Sequence, residues 1–394
     1  MFPFKSKIPP QDQYSYVIDS ISGAYYGLYM GFLLPFVPMV LKRLGATNLQ
    51  MGLCMSIPYF AYLVSPFLLP FFNKFKALDV ICILTGIFRP TVIAIGIFSG
   101  KWIILIIYLL NQVAEGMGVS IYIRLLEAAY SDEGRGLALG YQKAFQSICQ
   151  LMGFFLGGIL IDQGHAVMAF GFAGLSGFLS SLTFLRVLKG KYSPEFSTTI
   201  MRGSEVLKTF VDNKTFFWMN ISVTFFYFGS ILLVAAQPTY FVDKFDISNS
   251  SIGFLNSLSS MVAIVFFPLF GTYATRGTPQ KALLMCFFVG MFEPWVNIFA
   301  PTTAFLTISF FMCGAHNAGF EVSWPLILIK TVPTEKIAFY VSVFILLLGV
   351  RGTIAGMLSN TLIPIIGVEK VLALSGLLMA AGFFIGIFSR KRWG

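Results

Sequence analysis

Charge is scarce in this chain. Charged residues make up 11% of its 394 residues, where a soluble domain carries roughly 25%. Histidine is rarer still, with only His165 and His316. There is no His-Glu-x-x-His, no Gly-x-Ser-x-Gly and no phosphate-binding glycine-rich loop. These absences remove the usual zinc hydrolase, serine hydrolase and ATP-hydrolysing motifs, so neither an enzyme nor a cofactor is expected. The five cysteines (Cys54, Cys82, Cys149, Cys286, Cys313) all fall inside apolar stretches and form no Cys-x-x-Cys pair. They read as small apolar packing residues, with neither a disulfide framework nor a metal site. The N-terminus, MFPFKSKIPPQDQYSY, is short and polar and does not read as a cleavable signal peptide.

What the chain has in abundance is apolar surface. Hydrophobic residues make up 57% of it, and the mean hydropathy is +0.80. Runs of about 20 apolar residues are long enough to cross a bilayer. Six lie near 14–40, 48–72, 79–99, 102–123, 137–161 and 165–187, and six more near 215–241, 250–274, 281–300, 303–328, 337–359 and 364–388. The expected class is an all-α integral membrane protein of twelve transmembrane helices. It would form two pseudo-symmetric bundles, 1–188 and 215–394, joined by a polar linker over 189–214.

Twelve spans put both termini on one side. With that side taken as the cytoplasm, the outer loops hold five basic residues, Lys42, Arg43, Lys101, Lys244 and Lys370, and the spans hold Arg89, Lys143 and Arg351. The rest of the 27 Lys and Arg fall inside, which is the asymmetry that sets orientation. The formal charge of +10 is therefore a topology signal, and no nucleic-acid partner is expected. The expected location is the cell membrane, with a multi-pass monomer in the lipid bilayer.

The halves are related. A shift of 201 residues brings Asn48 onto Asn249, Gly52 onto Gly253 and Ser56 onto Ser257. It also brings Asp19 onto Asn220, Glu115 onto His316 and Arg135 onto Lys336. Parallel six-helix repeats are a transporter architecture with its site near the midplane.

Several segments then resemble the major facilitator superfamily. The first span ends GFLLPFVPMVLKRLG and the second begins TNLQMG. SDEGRGLALG (131–140) followed by GFFLGGIL (153–160) is similar to the family's loop 4–5 and fifth helix. In LPFFNKFKALD, Asn73 stands where the family's cytoplasmic motif has Asp, and Lys74 keeps the basic position. GTYATRGTPQK keeps Gly271, Arg276 and Lys281, with Thr275 in place of Asp. The resemblance implies a polar cytoplasmic latch at Asn73, Lys74, Arg135 and Arg276. It implies that spans 1, 4, 7 and 10 line a central cavity, that spans 2, 5, 8 and 11 form the moving interface, and that spans 3, 6, 9 and 12 support them. The function it implies is secondary transport of a small organic solute by alternating access. The glycines of spans 5 and 11 (Gly153, Gly157, Gly158, Gly349, Gly352, Gly356) suit close, sliding helix contacts.

Ionisable residues at depth carry the chemistry, because the bilayer makes them expensive. Span 4 has Asn111, Gln112 and Glu115 at 9 to 13 residues past the interfacial Trp102, which is mid-bilayer at ~1.5 Å per residue. Span 10 has His316 and Asn317 at the same depth, then Glu321. Glu115, His316, Glu321 and Asp19 are the candidate proton carriers. Tyr25, Tyr29, Asn111, Gln112, Glu115, Gln237, His316, Asn317 and Arg351 are the candidate cavity residues. Arg89–Pro90 in span 3 and Glu293–Pro294 in span 9 put a charge beside a helix-breaking proline in each half. Arg89 is expected to pair with Glu115, and Arg351 to neutralise Glu293. Alternatively, Arg89 or Arg351 binds an anionic substrate. Proton coupling is the expected drive. Two other functions remain open, efflux of amphipathic compounds and a non-transporting sensor or scramblase on the same fold.

Overall fold

The computed structural model describes residues 5–192, 203–276, 278–332 and 336–389. Among them there are no strands. The α-helices are α1 (Gln13–Leu33), α2 (Phe36–Arg43), α3 (Asn48–Leu68), α4 (Ala77–Phe88), α5 (Ile93–Ile97), α6 (Lys101–Ala129), α7 (Asp132–Asp162) and α8 (Ala166–Phe184). They continue with α9 (Gly203–Asp212), α10 (Lys214–Phe245), α11 (Asn249–Arg276), α12 (Pro279–Gly290), α13 (Glu293–Ile298), α14 (Leu306–Thr331), α15 (Ile337–Ile366) and α16 (Val368–Ser389). The linker expected over 189–214 contributes α9. Residues 193–202 and the terminal basic cluster 390–392 lie outside the described residues.

Eleven helical segments among the described residues are long and apolar enough to cross a membrane. The 26-residue α14 completes a set of twelve, and its polar middle, His316, Asn317 and Glu321, is what dilutes its apolarity. The protein is an all-α integral membrane protein.

Prolines bend three of the spans. Pro35 separates α1 from α2, Pro90 sits in the 3-10 turn between α4 and α5, and Pro294 is the second residue of α13. Proline offers no N–H to the preceding turn and clashes with it. Spans 3 and 9 are thus broken at equivalent places, beside Arg89 and at Glu293.

The chain divides into two compact units. The first is Met1–Leu44, Val64–Ile200 and Ser248–Ser257, and the second is Gly45–Leu63, Met201–Ile247 and Leu258–Gly394. Each unit thus includes the leading part of one helix from the opposite half of the chain, α11 in the first and α3 in the second. Small residues make these contacts possible. In the first unit, a Cβ on Gly158 would come within 2.5 Å of the Asn249 carbonyl oxygen. In the second, Ser56 Oγ donates to the Thr353 carbonyl at 2.9 Å, and a Cβ on Gly349 would sit 2.8 Å from Leu63 N.

The same device fastens the first helix of each half to the last. Ser22 Oγ donates to the Ser180 carbonyl at 2.9 Å, joining α1 to α8. Ser222 Oγ donates to the Gly382 carbonyl at 2.8 Å, joining α10 to α16. Between helices a serine hydroxyl is satisfied most cheaply by a neighbouring carbonyl, since the bilayer offers no water.

The α1–α7 contact is backbone on backbone. A Cβ on Gly31 would lie 2.8 Å from the Gly153 Cα and closer still to the Gln150 carbonyl oxygen. Gly31→Ala is therefore expected to cost about 1–3 kcal/mol of overpacking and to lower the melting temperature in detergent. Gly140→Ala on the same α7, with nothing within 4 Å, is the control and should be neutral or slightly stabilising.

Candidate functional site

In the first unit the broken span 3 delivers Arg89 into the bundle, where it is 8% exposed. Its Nε donates to Glu115 Oε1 at 2.7 Å and its Nη2 to Oε2 at 3.1 Å. Nη1 donates to the hydroxyls of Ser180 and Ser181, both at 3.2 Å. The guanidinium also lies 4.8 Å from the Tyr26 ring centroid and 5.4 Å from that of Tyr29, within cation–π range. Gly177 makes the room, since a Cβ there would lie 2.8 Å from the Arg89 Cβ. Every part of the fork has an acceptor, the arrangement in which a buried bidentate pair holds best.

The break also frees a carbonyl. Phe88 O accepts from Thr91 Oγ1 at 2.6 Å and from Asn111 Nδ2 at 3.3 Å. Asn111 Oδ1 in turn accepts from Tyr29 OH at 2.6 Å, and Gln112 Nε2 lies 3.4 Å from the same oxygen. Tyr29, Asn111, Gln112, Glu115 and Arg89 therefore form one buried polar network. Tyr25 stands apart from it. It lines an open apolar groove with Phe32, Leu156, Phe172 and Leu175, the last three exposed on the surface.

Asp19 lies nearer the N-terminal end of α1 and is 2% exposed. Its carboxylate accepts from Tyr122 OH at 3.1 Å and Tyr130 OH at 2.9 Å. Nearby, Asp12 accepts the Ser131 backbone N–H at the start of α7 at 3.0 Å, and Lys191 Nζ lies 3.4 Å from it. A carboxylate at a helix N-terminus is favoured by the unpaired N–H groups there.

The second unit has a pair at the equivalent place. Glu293 opens α13 and His316 lies on α14, each 1% exposed. His316 Nδ1 is 3.3 Å from Glu293 Oε2 and 3.2 Å from the Met312 carbonyl oxygen. Cys313, one turn before His316, completes a cluster whose donor atoms all lie within 4.8 Å of one another. Each unit thus holds one buried pair of an acidic and a basic side chain, with the roles exchanged. Span 3 gives the base and span 4 the acid, whereas span 9 gives the acid and span 10 the base.

Arg351 does not neutralise Glu293, contrary to the expectation from sequence. Glu293 meets α14, and Arg351 on α15 meets α10. Arg351 is 4% exposed, and its Nη1 donates to Thr224 Oγ1 at 3.2 Å. Its guanidinium lies 5.1 Å from the Phe344 ring centroid, and Trp324 stacks on Phe344 at 4.5 Å. Its Nε and Nη2 have no hydrogen-bond partner among the described residues. Asn317 and Glu321, a helical turn apart on α14, are both exposed. Gln237 is half-buried near the end of α10.

Of the cytoplasmic motif, Lys74 is exposed with a positive φ of 75°, and Asn73 is half-buried. The side chains of Arg135 and Arg276 lie outside the described residues. Sequence reasoning missed Ser180, Ser181, Tyr122, Tyr130, Thr224 and Phe344 as partners. It read Cys313 only as packing, although its i, i+3 spacing to His316 places both on one helix face.

A model described as the Major Facilitator Superfamily matches residues 20–357. No curated protein sequence matches the chain. Solved structures with the same fold include a variant of the nucleoside transporter NupG, with a TM-score of 0.73, 14% identity and coverage of 95% of this chain and 99% of that one. A bacterial homologue of the human lysosomal transporter Spinster gives 0.72 at 12% identity, covering 97% of each chain. The human organic anion transporter MFSD10 gives 0.68 at 14%, covering 96% of this chain and 100% of that one. Such identities speak for the fold alone, but the family model spans most of the chain. With a family model matched over residues 20–357 on a chain of twelve spans, the chain belongs to the Major Facilitator Superfamily.

Proposed function

We propose that the protein is a proton-coupled secondary transporter that moves a small organic anion by alternating access, with Arg351 as the anchor for the anion. The observation that carries this reading is the guanidinium itself. Its Nε and Nη2 are buried without acceptors among the described residues, beside Phe344 and Trp324. Unpaired buried donors are costly, and a carboxylate or phosphate matches the fork they form. The aromatic rings suit a substrate with an apolar body. Exposed Asn317 and Glu321, in mid-span, support a water-filled approach.

Arg89 is less suited to this role, because Glu115 and two serines already occupy it. For the same reason Glu115 cannot take a proton without breaking a bidentate pair. Asp19 can, since the donors from Tyr122 and Tyr130 are neutral phenols. Asp19→Asn is expected to abolish accumulation driven by a proton gradient and to flatten the pH dependence of uptake, while counterflow exchange persists. Uptake in vesicles with and without an imposed gradient checks this, and accumulation that survives in Asp19→Asn assigns the proton to another group. The excess of Lys and Arg on the terminal side supports cytoplasmic termini.

The test of the function is thermal unfolding against carboxylates, organic phosphates, sugars, amino acids and cationic drugs. An anion at ~100 times its dissociation constant should add ~2.7 kcal/mol, and Arg351→Gln should erase that gain. A second reading, export of an amphipathic compound, is favoured by the open apolar groove at Tyr25. It predicts stabilisation by hydrophobic cations or detergent-like molecules that is indifferent to Arg351.

A further inference from the structure

The geometry points to a zinc-class metal site at Glu293, Cys313 and His316, fastening α13 to α14 inside the second unit. One carboxylate, one thiol and one imidazole converge there, their donor atoms within 4.8 Å of one another. Mixed oxygen, sulfur and nitrogen donors suit Zn²⁺, Co²⁺ or Cd²⁺, whereas Mg²⁺ and Ca²⁺ prefer oxygen alone.

A further observation points to a ligand. Glu293 Oε2 is buried without a hydrogen-bond partner among the described residues, in a side chain that is 1% exposed. A cation bound through His316 Nδ1 takes up this bare lone pair together with those of the imidazole and the thiolate. The Glu293 Oε2 to His316 Nδ1 distance of 3.3 Å is close to the edge of a tetrahedron with bonds of about 2.1 Å.

Charge balance favours the same occupant. A divalent ion with one carboxylate and one thiolate is neutral, which is the form a low-dielectric site tolerates. On binding, the thiol loses its proton to solvent and the imidazole binds neutral, so uptake of the ion releases a proton. The surroundings are suited to hold the ligands. Asn317 Nδ2 donates to Cys313 Sγ at 3.3 Å, a contact that stabilises a thiolate. Three protein ligands leave a fourth position for water.

The site is independent of the anion site and of proton coupling, so its test does not use transport. Tag-free full-length protein in detergent is titrated with Co²⁺. Binding at one equivalent should bring up a thiolate-to-cobalt charge-transfer band, which Zn²⁺ should then displace. Cys313→Ser should abolish the band and weaken Zn²⁺ at least 100-fold. Asn317→Ala, an exposed position that should not disturb folding, should weaken Zn²⁺ about tenfold. Glu293→Gln tests the carboxylate if it folds, and the other two variants decide the matter if it does not. A missing band in the unaltered protein overturns the site. So does a band that survives Cys313→Ser, because one of the other cysteines would then hold the ion.

Discussion

Arg351→Met is expected to raise the melting temperature of the ligand-free protein while abolishing transport. The two effects come from one feature. Arg351 is 4% exposed, Thr224 takes one of its donor groups, and Nε and Nη2 have no acceptor among the described residues. Leaving buried donors unpaired costs about 1–3 kcal/mol, more when charged, and a methionine fills a similar volume without that cost. The empty protein should gain at least that range. The substrate should lose two charge-assisted hydrogen bonds at about 1.5–3 kcal/mol each, enough to lower affinity by roughly 10²- to 10⁴-fold. Arg351→Lys should fall between, keeping the charge but not the planar fork. Unfolding with and without an anion, followed by uptake into vesicles, separates the outcomes. A variant that is less stable yet still transports would show that Arg351 supports the fold and leaves the substrate to other groups.

Breaking the Arg89–Glu115 pair is expected to be the most destabilising single change in the protein. Arg89→Met strands the Glu115 carboxylate and Glu115→Leu strands the guanidinium. Removing one partner of a buried pair typically costs about 3–5 kcal/mol. The double variant Arg89→Met/Glu115→Leu removes both charges and should recover most of the loss, because an apolar replacement of a buried pair is often close to neutral. A double-mutant cycle by unfolding in detergent should give a coupling of about 6–10 kcal/mol, close to the sum of the two single losses. The same variants test what the pair does. If Glu115→Gln folds normally but loses only proton-driven accumulation, Glu115 carries the proton and Asp19 does not. If every variant that folds still accumulates substrate, the pair only ties α4 to α6.

The two halves explain why a costly arginine persists beside a proline in the middle of a span. The break at Pro90 ends α4 at Phe88 and lets Arg89 turn into the bundle, where Glu115, Ser180 and Ser181 receive it. Glu293 occupies the corresponding break in span 9, with His316 at the residue that the 201-residue shift relates to Glu115. The pseudo-symmetry therefore fixes where a polar pair sits, while the residue types differ between halves.

By itself the sequence determined the solvent and the number of spans, and it set an expected depth for each charge. Apolar runs must match the bilayer, backbone groups in lipid must pair within a helix, and depth follows from counting residues along the helix axis. Those rules are one-dimensional, which is why Arg89, Glu115, Glu293, His316 and Arg351 could all be set near the midplane without coordinates. Only the tertiary structure decided which of them meet. A partner depends on the rotation of each helix about its axis and on which helix stands beside it. Glu293 thus meets His316 and Cys313 from α14, whereas Arg351, at similar depth, turns toward Thr224 on α10. Asp19 reaches two tyrosines that lie more than a hundred residues away in sequence. Depth is a property of one helix, but contact is a property of at least two, and no periodicity within a single span encodes the face of its neighbour.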